Sequence, residues 1–198
     1  MDLQNRAEQI LNIQKNAVKD LKITENMISA IKEIVKKQNK KNHIITTGMG
    51  KAGIIATKMS STLASIGIPS FYVNPAEAAH GDLGRILPED LVIVFSHSGK
   101  TKEIQNMVSK LNELNSNENY VISIGSSSQP EFSADLVIDY GNIDESCNVK
   151  KVPSTSTTLM LIIADIIAIT SAESIGFNDE WFKQRHPGGE IGHSYTKN

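Results

Sequence analysis

Leu91-Val92-Ile93-Val94-Phe95-Ser96-His97-Ser98-Gly99-Lys100-Thr101 is the stretch that decides the fold. Five apolar residues in succession, mostly β-branched, read as a strand buried on both faces. Three hydroxyls come within the next six residues, and a helical pattern then covers 101–114. A buried strand that turns into a helix is one unit of a parallel sheet. Ligands of such sheets sit beyond the carboxyl ends of the strands. The turn is therefore a candidate site as well as a connection.

The same alternation extends outward from this unit. His43–Thr47 reads as a strand ending at Gly48, and 51–66 as a helix. Ser70–Val73, after Pro69, is a second strand, Tyr120–Ile124 a fourth and Leu136–Ile138 a short fifth. Residues 154–174 predict a long helix and 179–184 a further turn or two. Before the first strand, Ile10, Ile13, Ala17 and Leu21 recur at helical spacing, as do Met27, Ile31, Ile34 and Val35. Thr24 can cap the second of these helices. Lys36, Lys37, Lys40 and Lys41 end it and read as a solvated helix end, suited to the negative end of the dipole. The expected fold is α/β: a doubly wound, five-stranded parallel sheet with helices on both faces. With no repeat, low-complexity stretch or linker, one domain over 1–198 is expected, with N-terminal helices in 2–40.

The totals narrow the function. The 198 residues are 39% hydrophobic and 21% charged, with a formal net charge of −2. That balance gives no general attraction for nucleic acid or an anionic membrane, so neither partner is expected. One cysteine, Cys147, cannot form an intrachain disulfide. The N-terminus, MDLQNRAEQI, lacks the apolar core of a secretory signal, and a cytoplasmic location is expected. The apolar run Leu159–Ala164, broken by Asp165 and resumed at Ile166–Ile169, reads as too short to span a bilayer. It fits a helix buried on nearly every side.

The chemistry should lie in the turns that leave the strands. Gly48-Met49-Gly50-Lys51-Ala52-Gly53 lets backbone approach a ligand, and the next helix offers free N–H groups to an anion. A lysine inside the G-x-G-x-x-G spacing, with no acid near the end of the second strand, speaks against a dinucleotide site. The G-K-[ST] ending of a Walker loop is missing. Ser96, Ser98 and Thr101 make a phosphate cradle, to which Lys100 adds charge. The plainer reading is a helix N-cap by Ser98 or Thr101. Residues 74–84 read as a long loop with few apolar anchors, holding His80 and Asp82. Glu145 precedes the hydroxyl run Ser154–Thr158, and His186 opens a Pro-Gly-Gly turn at 187–189. His43 reads as structural, His193 as solvent-exposed, and His97 as facing either way. Cys147 is a small packing residue. His80, Asp82 and His186 lack a recognised ligand spacing, so no metal is expected, and no cofactor either.

The motifs GMGKAG at 48–53, PAEAAHGDLG at 75–84, SHSGKT at 96–101, PSTSTT at 153–158 and RHPGGEIG at 185–192 together resemble the sugar isomerase (SIS) domain family. Within it, from about residue 5 to 193, they resemble the D-arabinose-5-phosphate isomerases. The resemblance implies a flavodoxin-like sheet, a homotetramer, and interconversion of D-ribulose 5-phosphate and D-arabinose 5-phosphate on the way to Kdo. It implies Lys51, Glu103, Glu145 and His186 as active-site residues with His80 nearby, and Gly50, Ser96, Ser98 and Thr101 around the phosphate. Ala52 stands where relatives often have Ser, and Lys100 where an acid is common. Longer relatives continue into paired cystathionine-β-synthase-type modules, so a short form is expected.

Such an isomerisation needs a base at carbon, a group that shuttles a hydroxyl proton, and positive charge where the enediolate oxygen develops. Glu145 or His186 would be the base and Lys51 the stabilising charge. Glu103 would orient a hydroxyl or pair with Lys51, and His80 would assist ring opening. Another phosphosugar isomerase or lyase, or a non-catalytic sugar-phosphate sensor, would use the same cradle. A sensor has no need of Glu103, Glu145 and His186.

Overall fold

The computed structural model describes residues 1–186. Two helices come first. In α1 (Leu3–Asp20), Asp2 accepts the N–H groups of Gln4 and Asn5; in α2 (Glu25–Asn39), Thr24 accepts that of Met27, as the sequence predicts. Then comes the sheet: β1 (Ile44–Gly48), β2 (Ser70–Val73), β3 (Leu91–Phe95), β4 (Tyr120–Gly125) and β5 (Leu136–Asp139). All neighbours are parallel, in the order β2-β1-β3-β4-β5. Helices α3 (Gly50–Ser65), α5 (Lys102–Leu114) and α6 (Thr155–Ser174) make the crossovers and the cover, and α7 (Asp179–Arg185) ends the described chain.

Strand periodicity divides the core in two. Ile44, Leu91, Ile93, Phe95, Ile122, Ile124 and Ile138 face α2, α3 and α6. Ile45, Val92, Val94 and Val121 face α5. Every residue of β3 is buried, because apolar layers meet it on both sides. The interior hydroxyls of β1 are satisfied: Thr46 donates to the carbonyl of Ala56 at 2.7 Å and Thr47 to that of Val73 at 2.8 Å.

Three expectations need correction. Residues 74–84 are not an open loop: Asn74 caps a short helix, α4 (Pro75–Ala78), and a 3-10 turn covers Asp82–Arg85. Pro75 and Ala78 are the buried anchors, too small to register as apolar pattern. The lysine run is not wholly solvated. Lys37 is buried and its Nζ donates to the carbonyl of Glu89. Burial lowers its pKa although Glu89 and Glu33 pull the other way. The aliphatic stem covers the core while the head satisfies a carbonyl before β3. Finally, α6 is long and apolar enough to cross a membrane by length and composition. In this fold it packs against α3, α2 and α1, with more than half of that stretch buried, although Ile169 is exposed.

At the carboxyl end of the sheet, Gly125 closes β4 against β3. A Cβ on Gly125 would stand 2.1 Å from the carbonyl oxygen of Ser96. Gly125→Ala is expected to destabilise the fold by about 2–3 kcal/mol, through backbone displacement rather than side-chain rearrangement. A urea midpoint within error of the parent would contradict that expectation.

Candidate functional site

The strand order reverses between β1 and β3, since β2 continues from β1 to one side and β4 from β3 to the other. The turns leaving these two strands part in opposite directions and leave a crevice at their carboxyl ends. The cleft found there encloses about 260 Å³. Met49, Lys51 and Ala52 line it from the turn after β1, and Ser96, His97, Ser98 and Thr101 from the turn after β3. Glu145, Lys150, Lys151 and Pro153 close it from the segment before α6, and Ser156, Thr157 and Met160 from α6 itself.

The first turn is set by Gly50, whose φ of +58° a residue with a Cβ adopts only under strain. No side chain caps α3 at Met49. The second turn has three hydroxyls, yet none caps α5: Thr101 sits at the N-cap without a side-chain bond to the helix N–H groups. Ser98 Oγ accepts the N–H of Lys100 at 3.2 Å, and Ser96 Oγ meets Thr101 Oγ1 at 3.4 Å. The capping interpretation therefore fails, and two helix starts meet the cleft without a side-chain cap. That arrangement suits an anion.

Lys51 is exposed at the cleft, and among the described residues no ion pair engages it. Lys100 points elsewhere, its Nζ lying 3.5 Å from Glu131 Oε1. The positive charge expected from Lys100 is supplied instead by Lys150 and Lys151, which sequence reasoning misses. Lys150 reaches Asp144 Oδ2 at 2.9 Å, and Lys151 has no such partner among the described residues. Their turn is shaped by Cys147, whose Sγ accepts the N–H groups of Lys151 and Val152, each at 3.2 Å. Hydrogen bonds from backbone N–H groups, that of Val152 foremost, lower the Cys147 pKa. Adjacent lysines after a cysteine and two short residues are the available signal, hidden by their ordinary surface composition.

Glu145 is buried and fully engaged. Its Oε2 accepts Ser154 N–H at 2.8 Å, Ser154 Oγ–H at 3.0 Å and Ser156 N–H at 3.3 Å, while Oε1 accepts Ser156 Oγ–H. Burial alone would raise its pKa, but the hydrogen bonds from Ser156 and Ser154 outweigh it and hold the carboxyl below its ordinary value. Glu145 thus caps α6 from outside that helix, as a fixed negative charge at a positive end.

The remaining sequence candidates lie apart from this cleft. Glu103 is exposed on the first turn of α5, does not line the cleft and forms no ion pair with Lys51. His80 is exposed beyond α4. His186 is half-buried at the end of α7, its ring stacked on Phe182 and its Nδ1 2.9 Å from the Phe182 carbonyl. Trp181 in the same helix presses on Gly67, just past the end of α3. With α3 about 24 Å long, that contact belongs to the opposite end of the sheet from Gly50. The Pro-Gly-Gly turn after His186, and His193, lie outside the described residues. Among the described residues no three His, Cys, Asp or Glu side chains are grouped to hold a metal ion.

The family model for the SIS domain matches residues 38–170. The Escherichia coli arabinose 5-phosphate isomerase KpsF is 43% identical over 154 residues, covering 78% of this chain and 48% of its own length. The Yersinia pestis arabinose 5-phosphate isomerase KdsD is 35% identical, covering 97% and 58%. The chain thus spans about half the length of the curated relatives it matches. Among solved structures, a Bacteroides fragilis protein assigned as a phosphosugar isomerase involved in capsule formation superposes with a TM-score of 0.90 at 34% identity, covering 94% of this chain and 98% of that one. The Escherichia coli CFT073 protein c3406, in complex with arabinose 5-phosphate, gives a TM-score of 0.83 at 32% identity, covering 94% and 98%.

Because four donors converge on Glu145, Glu145→Gln is expected to lower stability by roughly 2 kcal/mol at pH 7. The parent's advantage should be present above the ordinary carboxylate range and shrink as pH falls through the depressed pKa of the folded state. Urea unfolding of both proteins between pH 7 and pH 3 checks this. A difference that does not depend on pH would refute the assignment.

Proposed function

The chain belongs to the SIS domain family, and from that premise we propose that it is an aldose–ketose isomerase interconverting D-ribulose 5-phosphate and D-arabinose 5-phosphate. The observation that carries the proposal is one cleft at the switch point. It joins a hydroxyl cradle that caps nothing to a free Lys51 and a charged Glu145. The relatives named as arabinose 5-phosphate isomerases, and the arabinose 5-phosphate bound to c3406, favour this sugar over others.

In the proposed mechanism, Ser96, Ser98, Thr101, Gly50 and the starts of α3 and α5 hold the phosphate. Lys51, with Lys151 beside it, stabilises the enediolate oxygen. Of the two residues left open as carbon base, Glu145 accepts four hydrogen bonds and has its basicity lowered. The role falls to His186, with Glu145 ordering Ser154 and, on the cleft wall, Ser156. His186 lies apart from the cleft of its own chain, so this role needs a second subunit to bring it there, as in the expected homotetramer with shared sites. The exposed Leu3, Leu11 and Val18 of α1, together with Ile169 of α6, supply apolar surface for such assembly. His80 and Glu103, exposed in the isolated chain, act in ring opening and hydroxyl orientation within that assembly. The N-terminal helices work as part of the same domain. Gln14 accepts from Thr158 Oγ1 at 2.8 Å, and Arg6 donates to the Ser146 carbonyl at 2.6 Å, so α1 braces both sides of the Glu145 segment. The setting is cytoplasmic and the product feeds Kdo formation.

Incubation with ribulose 5-phosphate in D₂O should yield arabinose 5-phosphate carrying deuterium at C2, read by NMR. Absence of both product and exchange would overturn the isomerase assignment. Lys51→Ala and His186→Ala should each lose at least about 10²-fold in turnover. Mixed as refolded subunits, they should regain up to about a quarter of parental activity if each site joins two chains. No recovery would place His186 in its own chain's site or outside catalysis.

A further inference from the structure

His97 is a cleft residue that the proposed mechanism leaves unused, and it is held in one orientation. It follows Ser96 at the carboxyl end of β3, while Tyr140 follows Asp139 at the carboxyl end of β5. Across the intervening β4, His97 Nδ1 lies 2.8 Å from the Tyr140 hydroxyl. The two rings stack with centroids 6.0 Å apart and planes 20° apart. Both backbones are anchored to the end of β4. Ser126 N–H donates to the His97 carbonyl at 2.8 Å, and Tyr140 N–H donates to the Gly125 carbonyl at 3.0 Å.

One hydrogen bond joins the phenol to Nδ1. Burial first, and then the charges of Glu145 and Asp139, push the Tyr140 pKa up, so the hydroxyl keeps its proton. With the phenol donating to Nδ1, the imidazole carries its own proton on Nε2, which is the tautomer the proposal below requires. The cradle already offers three hydroxyls and a helix start to the phosphate. His97 leans from that cradle toward β5, and it lines the same cleft as Glu145, beyond the hydroxyls that would hold the phosphate.

We propose that His97 is a further substrate-binding residue, its Nε2–H donating to an oxygen of the sugar chain, and that Tyr140 is the positioning residue that fixes it. The proposal rests on the sugar-phosphate reading above but not on turnover. Calorimetry on the full chain, titrated separately with arabinose 5-phosphate and inorganic phosphate, tests it. His97→Ala should weaken the sugar phosphate about 10-fold and inorganic phosphate less than about 2-fold, with an unchanged melting temperature. His97→Gln, whose amide reaches near the Nε2 position, should stay within about 3-fold of the parent. Tyr140→Phe should weaken the sugar phosphate about 3-fold, and ¹⁵N spectra of His97 should change from a single Nε2–H tautomer to a mixture. Equal weakening of both ligands would make His97 a phosphate ligand, and no weakening would put it outside the site; either overturns the proposal. So does an Nδ1–H tautomer in the parent. A parent that binds arabinose 5-phosphate without turning over ribulose 5-phosphate would sink the isomerase reading while leaving His97 to be judged by these titrations. A parent that binds phosphate but not the sugar phosphate overturns both.

Discussion

Everything at the carboxyl end of the sheet depends on β3 being pinned between β1 and β4. Its five residues pair with Ile44–Gly48 on one side and with Tyr120–Ile124 on the other. Its side chains alternate into two apolar layers, so it can neither slip by one residue nor rotate without exposing a face. The chain leaving Phe95 therefore starts from a fixed point. Gly125 then brings the backbone after β4 into contact with Ser96, and Ser126 holds the next carbonyl. A turn of six residues with no core of its own is positioned by the strands beneath it.

Much of this is legible in the sequence because strands buried on both faces have little freedom of composition. All five strands can be read there, with ends shifted by a residue. The cradle is legible because hydroxyls in excess of what one helix cap needs call for another use. Three things are not. Lys37 looks like any lysine near a helix end, and only the carbonyl of Glu89, brought near through tertiary contact, makes it a core residue. The helix over Pro75–Ala78 is too short to show a period. Lys150 and Lys151 reach the cleft through a turn that Cys147 Sγ organises, a local hydrogen-bond pattern that composition does not encode.

Two groups of candidate residues are separated by the length of a helix. Lys51, Ser96, Ser98 and Thr101 belong to turns directly after β1 and β3, and they converge in one chain. Glu145 converges too, because it is bonded to the start of α6. His186 comes after α6, a helix about 30 Å long that carries the chain from the cleft to the far end of the sheet. The distance along one rigid helix, rather than any flexibility, is what separates the two groups. A catalytic role for both requires a neighbouring chain to bridge that span.

The helix starts at Met49 and Thr101 lack the side-chain caps that Thr24 and Asn178 provide elsewhere. An N-cap contributes about 1 kcal/mol to a fold, so the chain is locally less stable than its composition allows. An anion seated between these two starts would supply what both lack. If the cleft holds the phosphate proposed for it, ligand and structural element become the same thing: occupancy of the cleft and integrity of the β1 and β3 turns would form one linked equilibrium, and the abundance of phosphorylated metabolites would help set how much of this protein stands fully folded.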